Sequence, residues 1–515
     1  MRYKIPENAE IKKIVEEMSV EELLLSVVCP EVGGNRKKLY NNTVAVFHHC
    51  NTSDVLKERI DDINKGRKLQ AVMVTDIEAG AGNLIKDATV FPSMMACSVA
   101  NSEELAYEMG KISAIESRKV GFEWAFGPCV DISGNHDNPI TSTRCCGDDY
   151  KQVIKIAGAV MKGMQDYGLA AAVKHFPGDG YCMFDQHLTV AENPMSYEEW
   201  KNTYGKVYQY MIDEGVKSIM PGHISLPSYD DIDEETGLYP PGSMSKKLLT
   251  DLLKNELGFE GIIVSDGANM SGFSGYINFY KACARFLEAG GDCLIFVQPD
   301  EMFMDEMKKL IEIGYLSIET LKNRAYRMLC FCQDLKSFEP IETISDHEAL
   351  KVVKEILDRS IHIVRDRKGV IPFNINRDTR ILHMTVDTDL ELHKDFNDDI
   401  THELKKYTEF VDVINDPGPD AMINVVKLKK YDLIICTVGS APSYGTNVVR
   451  LSGPIAGNMM GGWMRYDTPV IFVAKQHGYF HEEYEATADT VINTYGYACG
   501  SAEKLVSLIT GKENK

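Results

Sequence analysis

Leu169-Ala170-Ala171-Ala172-Val173-Lys174-His175-Phe176-Pro177-Gly178-Asp179-Gly180-Tyr181-Cys182-Met183-Phe184-Asp185-Gln186-His187 is the stretch on which the reading of the fold turns. It opens as a short apolar run of strand length and ends that run on two residues able to do chemistry. A Pro-Gly-x-Gly segment then makes a loop, and the loop carries a carboxylate and an imidazole two residues apart. In extended backbone such a pair lies on one side, so Asp185 can orient and charge-stabilise His187, the outline of an acid/base dyad. Histidine, with an ordinary pKa near 6.5, can give a proton in one step and take it back in the next.

Working outward, similar runs recur at 43–47, 71–75, 124–130, 217–220, 261–265 and 293–297. Helix-period stretches separate them, at 103–119, 150–167, 197–213 and 246–257, the last preceded by Ser245 as a cap. That alternation predicts βα units around a parallel sheet, and a TIM-type (β/α)8 barrel is its natural closure. Run after run ends on a polar group: Asp76, Asp131, Lys174 with His175, His223 and Asp266. In such a barrel these strand ends share the face on which active sites are built. A lone Asp after a strand is ordinarily a cap or a loop residue; the set as a whole points to a site.

Further on, helices at 318–334 and 346–359 lead into strand-like runs at 360–364, 380–386, 432–438, 470–474 and 490–494. The predicted organisation is therefore a barrel catalytic domain over 1–342, a helical linker over 343–369 and a smaller α/β sandwich domain over 370–515.

Composition narrows the function. The 515 residues are 44% hydrophobic and 25% charged, as in a globular chain with sizeable cores. Lys and Arg number 55 against 76 Asp and Glu, a net charge of -21 that disfavours phosphate backbones and anionic lipid surfaces, so neither nucleic acid nor membrane is an expected partner. No apolar run reaches the roughly 18 residues of a membrane helix, and the charged N-terminal stretch lacks a secretion signal, so a cytoplasmic location is expected. The 13 cysteines include no CxxC pair and read as reduced core residues. A metal site built from His175, Asp179, Cys182, Asp185 and His187 would match no standard zinc spacing and would sit beside Lys174; no metal is expected. Gly80-Ala81-Gly82 is too short for a dinucleotide fingerprint, and 438–445 lacks G-x-S-x-G, so neither a cofactor nor a nucleophilic serine is expected.

The second chemical segment is Gly258-Phe259-Glu260-Gly261-Ile262-Ile263-Val264-Ser265-Asp266-Gly267-Ala268, a buried strand with one carboxylate at its mouth and small residues after it. A carboxylate so placed suits attack on an anomeric carbon. Together with Lys-His-Phe-Pro-Gly-x-Gly and the Asp-x-His loop, it resembles the β-N-acetylhexosaminidase branch of glycoside hydrolase family 3, the NagZ-like enzymes. The likeness runs from Met18-Ser19-Val20-Glu21-Glu22 through Phe126-Gly127-Pro128, Asn138-Pro139-Ile140 with Arg144, and Met220-Pro221-Gly222-His223 to 490–495.

The resemblance implies a retaining exo-β-N-acetylglucosaminidase acting on a β-linked GlcNAc saccharide. Asp266 would be the nucleophile, His187 the acid/base held by Asp185, and Asp76, Arg144, Lys174 and His175 the sugar-binding residues, with the glycine-rich loop letting His187 close over the sugar. The chain departs from the family at Ala81, where an arginine is usual, at Asp179, where histidine is frequent, at Tyr181-Cys182, and at Cys145-Cys146 after Arg144. Three alternatives stay open. A histidine acid/base does not repel phosphate as a carboxylate would, which leaves a phosphorylase possible. A β-glucosidase would take its proton donor from the second domain, with Glu482, Glu483 and Glu485 as candidates. A sugar-binding protein without activity is the third. Oligomeric state is not legible.

Overall fold

A computed structural model of the chain describes residues 1–32, 42–67, 69–339, 342–439, 457–459, 463 and 467–512. Of the 438–445 stretch, residues 440–445 lie outside the described residues. The chain divides into two compact units. The first comprises 1–90, 103–141 and 145–349; the second comprises 91–102, 142–144 and 350–515.

The strands of the first unit are β1 Val28–Cys29, β2 Glu31–Val32, β3 Ala45–His48, β4 Val72–Thr75, β5 Trp124–Ala125, β6 Ala170–Phe176, β7 Ala191–Glu192, β8 Ser218–Pro221, β9 Ile224–Ser225, β10 Ile262–Ile263 and β11 Leu294–Ile295. Among the described residues, seven of them form one parallel sheet in the order β10-β8-β6-β5-β4-β3-β2. A parallel bridge from Val264 to Cys293 carries the pairing on from β10, and β11 pairs in parallel with β1. β1 and β2 belong to one segment, so the same five residues face β11 at one end and β3 at the other. Each predicted run from 43 to 297 coincides with a strand, and every residue of β6 is buried, as parallel strands covered on both faces require.

The helix Glu103–Val120 packs along Tyr150–Asp166 so closely that a Cβ on Gly110 or Gly163 would meet the other helix's backbone within 2.2 Å. The single helix expected over 197–213 is instead two, Tyr197–Asn202 and Tyr204–Asp213. The break falls at Thr203, whose hydroxyl bonds back to the Glu199 carbonyl while its backbone leaves the helical region. Ser245 caps the next helix as expected, its hydroxyl accepting the Leu248 N–H at 3.0 Å.

The second unit adds β12 His362–Asp366, β13 Ile381–Asp387, β14 Val411–Asn415, β15 Leu433–Gly439, β16 Val470–Ala474 and β17 Thr490–Asn493, ordered β12-β17-β16-β15-β13-β14. All pairs are parallel except β12 with β17. The stretch 343–369, expected as a helical linker, holds the helix Asp346–Ser360 and then this antiparallel strand β12. On one face Leu382, Met384, Val386, Ile434 and Cys436 pack with Met422 and Val426 of the helix Pro419–Lys427. On the other, His383 meets Thr401 of the helix Lys394–Lys405 at 2.9 Å. The chain is thus α/β throughout, a parallel-sheet unit with a smaller α/β unit, as its strand runs predict.

Candidate active site

The site is assembled from the C-terminal ends of neighbouring strands. Asp76 follows β4, Lys174 and His175 lie within β6, His223 follows β8, and Asp266 follows the β10 run. Lys174 pairs with Met220 of β8 and Phe176 pairs with Pro221, so the register shifts at His175. Such an irregularity turns a side chain that would otherwise face away. Consecutive residues therefore both serve the site.

Lys174 Nζ lies 2.9 Å from Asp76 Oδ1 and 2.7 Å from Glu78 Oε1, with its side chain almost fully buried. A buried ammonium needs this double compensation. His175 Nδ1 lies 2.7 Å from Asp131 Oδ2, and Asp131 Oδ1 accepts the backbone N–H of His175 and of Asp179. Asp131 thereby fixes the ring so that Nε2 faces Asp266, whose Oδ2 is 3.8 Å away.

Asp266 keeps 14% of its side chain exposed, and its Oδ1 accepts the N–H of Gly267 at 2.7 Å. Burial alone would raise its pKa, but the imidazoles of His175, His223 and His187 and the ammonium of Lys174 outweigh it and hold the carboxyl below its ordinary value. The group stays ionised and available as a nucleophile.

His223 is fully buried, and burial lowers its pKa. Its Nε2 donates to the Gly267 carbonyl at 3.1 Å, which leaves Nδ1 to accept the Ser243 hydroxyl at 2.9 Å. It is a neutral strut under the segment that carries Asp266.

Asp185 Oδ1 lies 2.6 Å from His187 Nδ1 and accepts the His187 backbone N–H at 2.8 Å. Asp185 is buried, whereas His187 keeps 27% of its side chain exposed. The loop is tied down at several points. Ser271 N–H donates to the His187 carbonyl at 2.9 Å, His223 N–H to Gln186 Oε1 at 2.6 Å, and Asn138 Nδ2 to the Cys182 carbonyl at 2.8 Å. Gly178 and Gly180 have φ of 131° and 107°. A Cβ there would strike the Tyr204 ring at 2.3 Å and the Ile132 carbonyl at 2.0 Å, so close approach explains both glycines.

The structure thus brings together Asp266, His187, Asp185, Asp76, Lys174 and His175. Arg144 belongs to the short 3₁₀ helix Ser142–Arg144, a segment that clusters with the second unit. Glu78, Asn138 and Gln186 acquire roles that spacing alone did not assign; Glu78, two residues beyond Asp76, carried the same i, i+2 signal as the Asp185 and His187 pair. Glu483, a candidate proton donor from the second unit, has its carboxylate 3.8 Å from His477 within that unit. Among the described residues, the buried ligand atoms close enough to hold a cation are those of Cys129, Asp131 and His175, within 4.8 Å of one another. Asp131 and His175 are already engaged with each other there, and the loop set weighed from spacing forms no such group.

A strand-end carboxylate, an imidazole held by its own carboxylate, and an ammonium flanked by carboxylates are groups that suit a glycoside-cleaving enzyme. The comparisons agree. Residues 9–331 match the model of the glycosyl hydrolase family 3 N terminal domain. A "Beta-N-acetylglucosaminidase/beta-glucosidase" from Cellulomonas fimi is 29% identical over 470 residues, covering 85% of this chain and 81% of the relative. A "Beta-hexosaminidase" from Hydrogenovibrio crunogenus is 30% identical over 265 residues, 50% of this chain and 71% of its own. Among solved structures, the beta-glucoside phosphorylase BglX aligns with a TM-score of 0.89 at 25% identity, covering 100% of this chain and 96% of that one. A family 3 β-N-acetylglucosaminidase from Paenibacillus shares the fold, with a TM-score of 0.82 at 19% identity over 96% of this chain and 97% of that one. The chain belongs to glycoside hydrolase family 3.

Proposed function

We propose that this enzyme cleaves β-linked N-acetylglucosaminides from the nonreducing end with retention of configuration. Asp266 attacks the anomeric carbon while His187 protonates the departing glycosidic oxygen, giving a glycosyl-aspartate. His187 then takes a proton from the incoming water as the ester bond breaks, which restores both groups. Lys174, Asp76 and Glu78 offer donor and acceptors to a vicinal diol of the bound sugar. The observation that carries the reading is the 2.6 Å contact between Asp185 and His187, together with a strand-end carboxylate whose pKa is held down by neighbouring groups that include the Lys174 ammonium. The strand pairings also support closure of the first unit as a (β/α)8 barrel.

A second reading is phosphorolysis, with phosphate in place of water at the second step. Two observations favour it: the full-length likeness to a β-glucoside phosphorylase, and an acid/base that is neutral once its proton has left. Incubating the protein with aryl β-N-acetylglucosaminide and aryl β-glucoside, with and without phosphate, tests both. Free GlcNAc as product supports the first reading and a sugar 1-phosphate the second; release from the glucoside alone removes the GlcNAc assignment.

A further inference from the structure

We propose that the leaving-group side of this site is an apolar platform made by Met183, Phe184 and Leu188, and that the substrate is a β-glycoside with an apolar aglycone. The inference rests on the function proposed above. Met183, Phe184 and Leu188 are 59%, 61% and 44% exposed, three large apolar side chains within five residues of His187. Single exposed apolar residues are ordinary; a cluster beside a catalytic group marks a surface that something covers.

The loop presents these side chains outward by construction. Cys182 is buried, and its sulfur accepts the N–H of Phe184 and of Glu192, each at 3.3 Å. Asp185 and Gln186 are buried on the inner side, and Leu188 N–H bonds to the Asp185 carbonyl at 3.0 Å. Asp185 and Gln186 face inward while Met183, Phe184 and Leu188 face water, the reverse of what loop stability favours for those side chains. The pinned backbone holds that arrangement in place.

The occupant follows from the chemistry. An acid/base must reach the glycosidic oxygen, so whatever is bonded to that oxygen lies against the residues beside the acid/base. The sugar itself meets charged and polar groups at the strand ends. The aglycone meets a methionine, a phenylalanine and a leucine.

The test uses methyl, butyl and hexyl β-glycosides of GlcNAc and glucose, whose leaving alcohols are of similar acidity, so that chain length varies apolar area alone. For the wild type, kcat/KM for the hexyl compound is expected to exceed that for the methyl compound on the order of tenfold. In Phe184→Ser and Met183→Ser that ratio is expected to fall toward one; these exposed positions keep folding out of the comparison. A wild type that cleaves all three alike, or variants that keep the wild-type ratio, would overturn the platform while leaving the proposed function standing. Cleavage of no glycoside of either sugar would overturn the function and the platform with it.

Discussion

A single oxygen, Asp185 Oδ1, receives both the Nδ1–H of the His187 ring and the His187 backbone N–H, at 2.6 and 2.8 Å. Ring and main chain are thus locked to one carboxylate, which sets the tautomer; in the proposed mechanism Nε2 carries the reacting proton. Asp185→Asn keeps the shape and removes the charge that stabilises the imidazolium. Its kcat is expected to fall by about 10² to 10⁴, with a smaller change in KM. Steady-state kinetics on an aryl β-glycoside check this. The loss should shrink for dinitrophenyl glycosides, whose leaving group needs no proton; a uniform loss across leaving groups would assign Asp185 to folding alone.

Asp266 is expected to be indispensable. Asp266→Ala should lower kcat on the order of 10⁴-fold or more, as removal of a covalent nucleophile does. Added azide should restore turnover and yield the α-glycosyl azide, because the small anion attacks from the face the carboxylate has vacated. Retained activity without azide would move the nucleophile elsewhere.

Much of this was legible because parallel strands buried on both faces begin as apolar runs, as residues 170–173 of β6 and 262–264 before Asp266 do. Strands that break that rule escaped. The segment 28–32 has Pro30 and Glu31 within it, and β14 alternates Val411 and Val413 with Asp412 at the sheet's edge. The pairing of Asp185 with His187 was readable because the two lie close in sequence. Lys174 and His175 were read as members of one site although adjacent residues on a regular strand face opposite ways; the register shift in β6 that reconciles them leaves no mark in composition. Asp131, Asn138 and Gln186 act on the site through other residues, and contacts of that range are set by the fold.

The site also depends on a buried ion pair behind it. Asp292 Oδ2 accepts the N–H of Ile263, and its Oδ1 lies 2.8 Å from Arg327 Nε, which anchors the strand leading to Asp266 onto the helix Ile318–Lys336. Burial would raise the Asp292 pKa, but Arg327, Lys254 and Arg324 bring it down to about 2. A carboxyl depressed in the folded state stabilises fully above its unfolded value near 3.9 and loses that contribution as pH falls toward 2. Asp292→Asn is expected to cost about 3 kcal/mol at neutral pH, because Arg327 is left without its counter-charge. Urea unfolding at pH 7 and at pH 3 checks both parts: the variant's deficit should be smaller at pH 3.

Asp179 titrates in the opposite sense. Burial, and then the Asp131 carboxylate beside it, push its pKa up to about 6, although Asn138 Nδ2 and the Gly180 N–H donate to its Oδ1 at 2.8 and 2.7 Å. A carboxyl raised in the folded state favours the native form below the unfolded value near 3.9, and that advantage is lost as pH rises through about 6. The wild type should therefore carry a component of stability that declines between pH 4 and 7. Asp179→Asn keeps a carbonyl oxygen for both donors and cannot ionise, so this component should be absent. Because Asp131 holds both the Asp179 backbone N–H and the His175 ring, ionisation of Asp179 should also be felt at His175. A pH profile of kcat/KM should then show a limb near 6 in the wild type that moves in Asp179→Asn. An unmoved profile alongside an altered stability curve would confine Asp179 to holding the loop.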